Sequence, residues 1–207
     1  IEDGDGWNLL TSADEWAGPV QATVGPDGAV WIADWYNFII QHNPTPSVQS
    51  AGIDAKNGIG TAYINPLRDR SRGRIYRVVY KKADKKSSLN LSKDDVPGLV
   101  KALSNDNMFW RLTAQRLLVE KGDQSVFSKL YKLIENEKVD EIGINAAATH
   151  ALWTLEGLKA FDGKNTVAIE IAVKALSHPA AGVRKAAIQV LPKTAETFNA
   201  IKKAGLF

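Results

Sequence analysis

No cysteine occurs among the 207 residues of this sequence. Its absence excludes thiol nucleophiles, disulfide bonds, thiolate metal ligands and covalent haem attachment through a Cys-x-x-Cys-His motif. Because a cysteine-free chain tolerates both oxidising and reducing surroundings, the cysteine count leaves the cellular compartment open.

Long apolar runs and the common catalytic motifs are also missing. No stretch of 18 apolar residues is present, which excludes a membrane-spanning helix in this segment. No glycine-rich nucleotide-binding fingerprint, phosphate-binding loop, His-Glu-x-x-His or serine nucleophile elbow occurs. The chain begins at Ile1 without a signal-like segment, so we expect it to be part of a longer protein.

Basic residues are scarce in the first third and concentrated directly after it. Residues 1–67 hold one basic and eight acidic residues, whereas residues 68–86 hold nine basic and two acidic ones. The acidic segment cancels the field of the basic run beyond a Debye length of about 8 Å, so we predict no nucleic-acid partner. We expect Arg68 to pair with acidic groups such as Asp27 or Asp34, or alternatively to contact an acidic substrate.

Turn signals and short apolar runs predict β-structure up to about residue 82. A Gly-Pro-Asp-Gly turn at 25–28 separates two strand-like runs at 20–24 and 29–33, and a third run follows at 74–80. Three or four strands cannot close a barrel or a sandwich alone. We therefore predict a small antiparallel β segment within residues 1–86.

From Leu89 onward the apolar residues recur at helical spacing. The pattern predicts helix pairs at about 92–121, 124–157 and 165–192, with a final helix at 194–205. The second helices share an apolar-Arg/Asn-x-x-Ala pattern around Arg111, Asn145 and Arg184, which are 34 and 39 residues apart. Two helices per period of this length are typical of an α-solenoid. The fold class is therefore predicted as α+β multidomain, with an all-α HEAT- or armadillo-like solenoid over residues 87–207.

Two stretches of the first half resemble parts of a β-propeller. PVQATVGPDGAVWIADWYN at 19–37 resembles a blade of a six- or seven-bladed propeller, and RDRSRGRIYRVVYK at 68–81 resembles its closing strand. Followed by HEAT-like repeats, this order is similar to the membrane-bound or haem-associated dehydrogenases of Bacteroidetes and related bacteria. Their propeller resembles that of soluble quinoprotein sugar dehydrogenases, and a cytochrome c domain often follows the repeats.

The resemblance implies a periplasmic or extracytoplasmic parent oxidoreductase that acts on sugars or alcohols. It implies a PQQ-like quinone and haem c in other parts of that parent, and no cofactor in this chain. Because most blades and the haem-attachment motif are absent from this sequence, we predict a C-terminal fragment that is non-catalytic alone, and the enzyme question stays open. The helical repeats are expected to contact protein: the parent's own propeller, its cytochrome domain or another protein.

Three residues of the first half are candidate catalytic groups: Asp34, His42 and Arg68. His42 has a reference pKa near 6.5 that suits a base or a metal ligand, and the alternative is a loop histidine bonded to backbone. Asp34 follows a strand end, where it is expected either to bind a cation or sugar hydroxyl or to accept hydrogen bonds from backbone N–H groups at the turn. No metal site is predicted, because no second ligand is evident.

The residues after Asp34 are candidate substrate-binding groups. Trp35 and Tyr36 offer rings that stack on a sugar, with Asn37 beside them, and the alternative is that the aromatic rings pack between blades. Two other functions therefore remain open: a carbohydrate-binding module that uses Trp35 and Tyr36, and a stand-alone HEAT-type protein-binding module.

Overall fold

A computed structural model describes residues 8–37, 47–52, 55–56, 64, 71–82 and 89–206. The chain divides into two compact units, Ile1–Lys85 and Lys86–Phe207, called here the β unit and the helical unit. The β unit contains a small antiparallel sheet and the helical unit a series of short helices, so the predicted α+β class is confirmed.

The sheet of the β unit has the strand order β1-β2-β3, with both pairs antiparallel. Its strands are β1 Pro19–Val24, β2 Val30–Asp34 and β3 Arg74–Val78, and a short helix, α1 Val48–Ala51, lies between β2 and β3 in the sequence. Residues Gly25–Gly28 form the predicted turn between β1 and β2, in which the Gly28 N–H donates to the Gly25 carbonyl at 3.0 Å. Gly28 has a φ of +78°, which favours glycine, and Pro26 supplies the fixed φ that the second position of the turn needs.

The described part of the β unit has a small apolar core. Its buried hydrophobic side chains are Ala29 and Ile32, while Ile75 on β3 is 72% exposed. Two polar side chains of the same region, Asp34 and Asn37, are buried as well. Polar contacts therefore contribute much of what holds the strands of this sheet together.

The helical unit contains seven α-helices among its described residues. They are α2 Val96–Ala102, α3 Met108–Lys121, α4 Phe127–Ile134, α5 Ala146–Gly157, α6 Thr166–Lys174, α7 Ala181–Val190 and α8 Ala195–Lys203. The first one begins at Val96, later than the predicted 92, because the Asp95 side chain accepts a hydrogen bond from the Gly98 N–H and so caps this helix.

The helices pack as successive pairs around one continuous apolar core. Contacts join α2 to α3, α4 to α5 and α6 to α7, and α5 also packs against both α3 and α7. Helices α3 and α5 run parallel, since Gln115 meets His150 and, further along, Val119 meets Gly157. The fully buried side chains include leucines from five segments: Leu99, Leu103, Leu118, Leu130, Leu152, Leu155 and Leu176.

A side chain near the start of each second helix binds carbonyl groups of the preceding connection. Arg111 Nη1 donates to the Asn105 and Asp106 carbonyls at 2.6 and 2.8 Å, and Arg184 Nη1 donates to those of His178 and Pro179, both at 2.8 Å. Both arginines are the fourth residue of their helix. We call this the Arg–carbonyl contact.

Asn145 makes the corresponding contact in the middle pair, from a different position. It is the N-cap of α5, where its Oδ1 accepts from the Ala148 N–H at 2.9 Å. Its Nδ2 donates to the Asn136 and Lys138 carbonyls at 2.6 and 2.9 Å. When the helix starts are aligned, Thr149 falls level with Arg111 and Arg184, but buried Ala148 follows Asn145 by three positions, as Ala114 and Ala187 follow the two arginines.

Candidate functional site

A cavity of about 470 Å³ opens in the β unit beside the end of β2. Its polar lining comes from Asn8, Thr11, Ser12, Asp14, Asp34 and Tyr76, and its apolar lining from Leu10, Ala17 and Pro19. The loop before β1 therefore forms one wall, while the three strands contribute one residue each: Pro19, Asp34 and Tyr76.

Asp34 is the central group of this region. Its Oδ1 accepts hydrogen bonds from the backbone N–H groups of Gly18 at 2.8 Å and Tyr36 at 2.9 Å. Its Oδ2 accepts from Arg74 Nε at 2.8 Å, and no part of the Asp34 side chain is exposed. Asp34 and Arg74 are cross-strand partners in the register of β2 and β3, which brings the two charges together.

Arg74 joins the carboxylate to two other groups. Its Nη1 lies 3.2 Å from Asp14 Oδ2, and its guanidinium carbon lies 3.9 Å from the centre of the Tyr36 ring. The Tyr36 ring also lies near the Trp16 ring, at a centroid distance of 5.8 Å. We call Asp14, Trp16, Asp34, Tyr36 and Arg74 the Asp34 cluster.

The hydrogen bonds of the Asp34 cluster determine its protonation. Burial acts to raise the pKa of the Asp34 carboxyl, but the N–H groups of Gly18 and Tyr36 and the Arg74 guanidinium outweigh it and lower that pKa. Burial also raises the pKa of the Tyr76 hydroxyl at the cavity wall. At neutral pH Asp34 is thus ionised and Tyr76 is neutral. The Asp34 carboxylate has no exposed surface, so its hydrogen bonds go to the fold and not into the cavity.

A second Asp–Arg pair fastens the β1–β2 turn to β3. Asp27 Oδ1 accepts from the Trp31 indole N–H at 3.1 Å, and Asp27 Oδ2 accepts from Arg77 Nε. The Trp31 hydrogen bond is the main reason why the pKa of Asp27 falls to about 2, and Arg77 adds to it. Gly25 has to be small here, because a Cβ at that position would lie 2.3 Å from the Trp31 indole nitrogen.

The predicted site residues are distributed unevenly around this cavity. Asp34 lines it, whereas Trp35 is 56% exposed and Asn37 is buried. Tyr36 has a φ of +49°, uncommon for a residue with a Cβ, and the bond from its N–H to Asp34 supports this conformation. Its ring already stacks on Arg74, so the proposed sugar-stacking face is occupied on that side.

His42 and Arg68 lie outside the described residues. The arginines that pair with Asp34 and Asp27 are Arg74 and Arg77, which follow the predicted Arg68 by six and nine positions in the sequence. Sequence reasoning missed Arg74 and Asp14 as members of the site. The available signal for Arg74 was the alternation of basic and apolar residues in β3, which places Arg74 on one face and Ile75 on the other.

Two kinds of feature are absent from the residues that the structure describes. No group of three or more histidine, aspartate or glutamate side chains there is arranged to hold a metal ion. Within the same residues, no helix combines the length and the apolar character needed to cross a membrane.

Residues 2–82 match the model of a protein family described as a domain of unknown function, DUF7133. The match ends within the β unit and therefore covers the Asp34 cluster but not the helical unit. Comparisons with curated proteins and with solved structures find no match for this chain.

Proposed function

We propose that the helical unit is a HEAT-like solenoid that serves as a protein-interaction scaffold, and that the chain is non-catalytic alone. The observation that carries this proposal is the Arg–carbonyl contact, which α3 and α7 make from the same helical position. An internal contact that recurs at the same helical position in separate helix pairs is typical of a chain built from stacked copies of one unit.

The second helices also expose apolar side chains where a partner could bury them. On α3, Met108 is 58% and Leu112 is 46% exposed, and these residues lie one turn apart. Ile144, directly before the parallel helix α5, is exposed too. An exposed apolar pair one turn apart on α3 is a surface that a partner's apolar side chain would cover.

The β unit supports the non-catalytic part of the proposal. Both oxygens of Asp34 accept hydrogen bonds from the fold itself, and the side chain of Asp27 is engaged in the same way. From the family resemblance we propose that the chain works in the periplasm as the C-terminal part of a quinoprotein-like dehydrogenase. A PQQ-like quinone and haem c would belong to other domains of that parent, and the cysteine-free sequence offers no covalent haem attachment.

Selection of random phage-displayed peptides on the immobilised full chain tests the scaffold. We expect the selection to enrich peptides whose synthetic copies bind the wild type. The same peptides should bind the double variant Met108→Ser/Leu112→Ser, or a corresponding variant of another second helix, at least about tenfold more weakly than they bind the wild type. Val167→Ser, which removes an exposed apolar side chain from the first helix α6, is the matched control. Failure to enrich any saturably binding peptide would contradict the scaffold.

A turnover assay tests the claim that the chain alone is non-catalytic. The full chain is mixed with sugars or alcohols, added quinone cofactor and an artificial electron acceptor, and acceptor reduction is followed by absorbance. We expect the rate to equal that of the mixture without protein. Saturable reduction that is lost in Asp34→Asn would overturn the claim.

The cavity beside Asp34 favours a second candidate function, binding of a polyhydroxylated ligand such as a sugar. Its lining offers the hydrogen-bonding groups that such a ligand needs: the Asp14 carboxylate, the Asn8 amide and the hydroxyls of Thr11, Ser12 and Tyr76. Tryptophan fluorescence titrated with oligosaccharides tests it: quenching that survives Trp35→Ala but is lost in Asp14→Ala would indicate the cavity. Quenching lost in Trp35→Ala would instead indicate the exposed indole, and no quenching would dismiss carbohydrate binding.

A further inference from the structure

An apolar groove lies along α7 next to the final residues of the helical unit. Its volume is about 310 Å³, and its walls are one stripe of α7 and Leu206. The stripe consists of Ala181, Arg184, Lys185, Ile188 and Gln189, which recur at the spacing of a single helix face. The opposite face of the same helix, with Val183, Ala187 and Val190, is buried in the core.

The groove combines an apolar floor with positive charge. Ala181, Ile188 and Leu206 supply the floor, while Arg184 and Lys185 supply two cations on its α7 side. The surrounding sequence increases this bias, since residues 184–207 contain five basic residues and one acidic residue. A surface of this composition attracts negatively charged groups, and covering it with apolar side chains is favourable because apolar area is removed from water.

The two cations have different freedom. Arg184 Nη1 is held by the His178 and Pro179 carbonyls, so Arg184 is part of the fold as well as of the groove. Lys185 is exposed and lies one residue further along the helix. Because its side chain is flexible, the Lys185 ammonium group can form an ion pair with a carboxylate of a bound peptide.

We propose that this groove binds an acidic peptide segment of a partner protein, with an apolar side chain on the Ile188 floor and a carboxylate beside Lys185. The proposal rests on the scaffold function above and specifies where on the helical unit one partner docks. From Ala181 to Gln189 the stripe is about 12 Å long, which accommodates about four residues of an extended peptide.

Fluorescence anisotropy with defined peptides tests the groove on the full chain. The probe is a fluorescein-labelled octapeptide, Asp-Glu-Leu-Asp-Glu-Leu-Asp-Phe. One control peptide has serine in place of its leucines and phenylalanine, and another has lysine in place of its acidic residues. We expect saturable binding of the probe alone, weakened by added salt because charge contributes to it.

Three variants locate the binding site. Lys185→Glu and Ile188→Ser should each weaken binding of the probe at least about tenfold, by removing the charge and the apolar floor respectively. Lys193→Glu is the matched control, because it makes the same change of charge within the basic segment but outside the groove lining, and it should weaken binding less than about threefold. Far-UV circular dichroism of each variant shows whether the helices are intact.

The groove is overturned if no probe binds, if the serine peptide binds as well as the probe, or if Lys193→Glu weakens binding as much as Lys185→Glu. Peptides from the display selection that bind the wild type and are unaffected by Lys185→Glu and Ile188→Ser would refute the groove while the scaffold stands. An empty display selection would instead contradict the scaffold itself, so the two proposals fail in different experiments.

Discussion

Replacing Asp34 by alanine is expected to unfold the β unit while leaving the helical unit folded. The change leaves two backbone N–H groups, of Gly18 and Tyr36, without their acceptor and removes the buried one of the two carboxylates that bind Arg74. A hydrogen bond to a charged group contributes about 1.5–3 kcal/mol, and such contributions to one carboxylate are not additive. We expect Asp34→Ala to lower the free energy of unfolding of the β unit by about 3–5 kcal/mol.

That loss is large compared with the stability such a small unit can have. The described part of the β unit buries few hydrophobic side chains, and small domains are only marginally stable. With a urea dependence of about 1 kcal/mol per molar, a loss of about 3–5 kcal/mol should lower the unfolding midpoint by about 3–5 M. Asp34→Asn keeps an oxygen for the two N–H groups but loses the ion pair, so its effect should be intermediate.

Two optical signals follow the two units separately. Four of the six tryptophans, at positions 7, 16, 31 and 35, lie in the β unit, so fluorescence mainly reports its unfolding. Far-UV circular dichroism reports the helical unit, which holds every described helix longer than four residues. The control is Asp14→Ala, which removes the partially exposed partner of Arg74 and should change stability by less than about 1 kcal/mol. Equal fluorescence midpoints for Asp34→Ala and Asp14→Ala would refute the reasoning.

Two predictions concern the helical unit. Burial, with a smaller effect of the nearby Arg111 charge, lowers the pKa of His150 to about 4. As the pH drops, His150 therefore takes up its proton in the unfolded chain before it does so in the folded one. The free energy of unfolding should fall by about 1–2 kcal/mol between pH 6.5 and 4, a range that is reduced because His150 is partly exposed. His150→Gln should remove this part of the pH dependence in urea titrations at several pH values, and an unchanged profile would contradict it. Gly157→Ala should destabilise the unit by about 1–3 kcal/mol, because its new Cβ would lie 2.5 Å from the Val119 side chain. Gly182→Ala in α7 has room for the new methyl group, so it should be neutral or stabilise the unit by up to about 1 kcal/mol. If Gly157→Ala had the higher thermal midpoint of the two variants, α3 and α5 would approach each other less closely than described.

Local features of the fold could be predicted from the sequence because their causes are local. The β1–β2 turn needs only Pro26 and Gly28, and the change to helical spacing after Leu89 is visible within a few residues. The Asp34–Arg74 pair could not be derived in this way. It joins residues 40 positions apart, and their pairing depends on the register of β2 and β3, two strands that are far apart in the sequence.

The difference between local and long-range causes also explains why the sequence predicts a basic partner for Asp34 but does not identify Arg74 as that partner. The excess of arginine after an acidic segment predicts that such pairs form, whereas strand register decides which arginines form them. Arg74 and Arg77 are both within β3, three residues apart and on opposite faces of the sheet. One therefore reaches Asp34 near the cavity and the other reaches Asp27 at the turn, so a single strand fastens both ends of β2.

Asn145 shows how the connection between two helices decides which side chain makes a repeated contact. Five residues connect α2 to α3, whereas eleven connect α4 to α5. The longer connection brings the Asn136 and Lys138 carbonyls to the N-cap of α5, within reach of a short amide, instead of to the fourth helical residue, where the other pairs use arginine. The Asn136 carbonyl also accepts from His178 Nε2 at 3.2 Å, so this connection is bonded to the following helix pair as well. What repeats along the helical unit is thus the binding of exposed carbonyls at the start of each second helix, and the residue that binds them follows from the length of the connection.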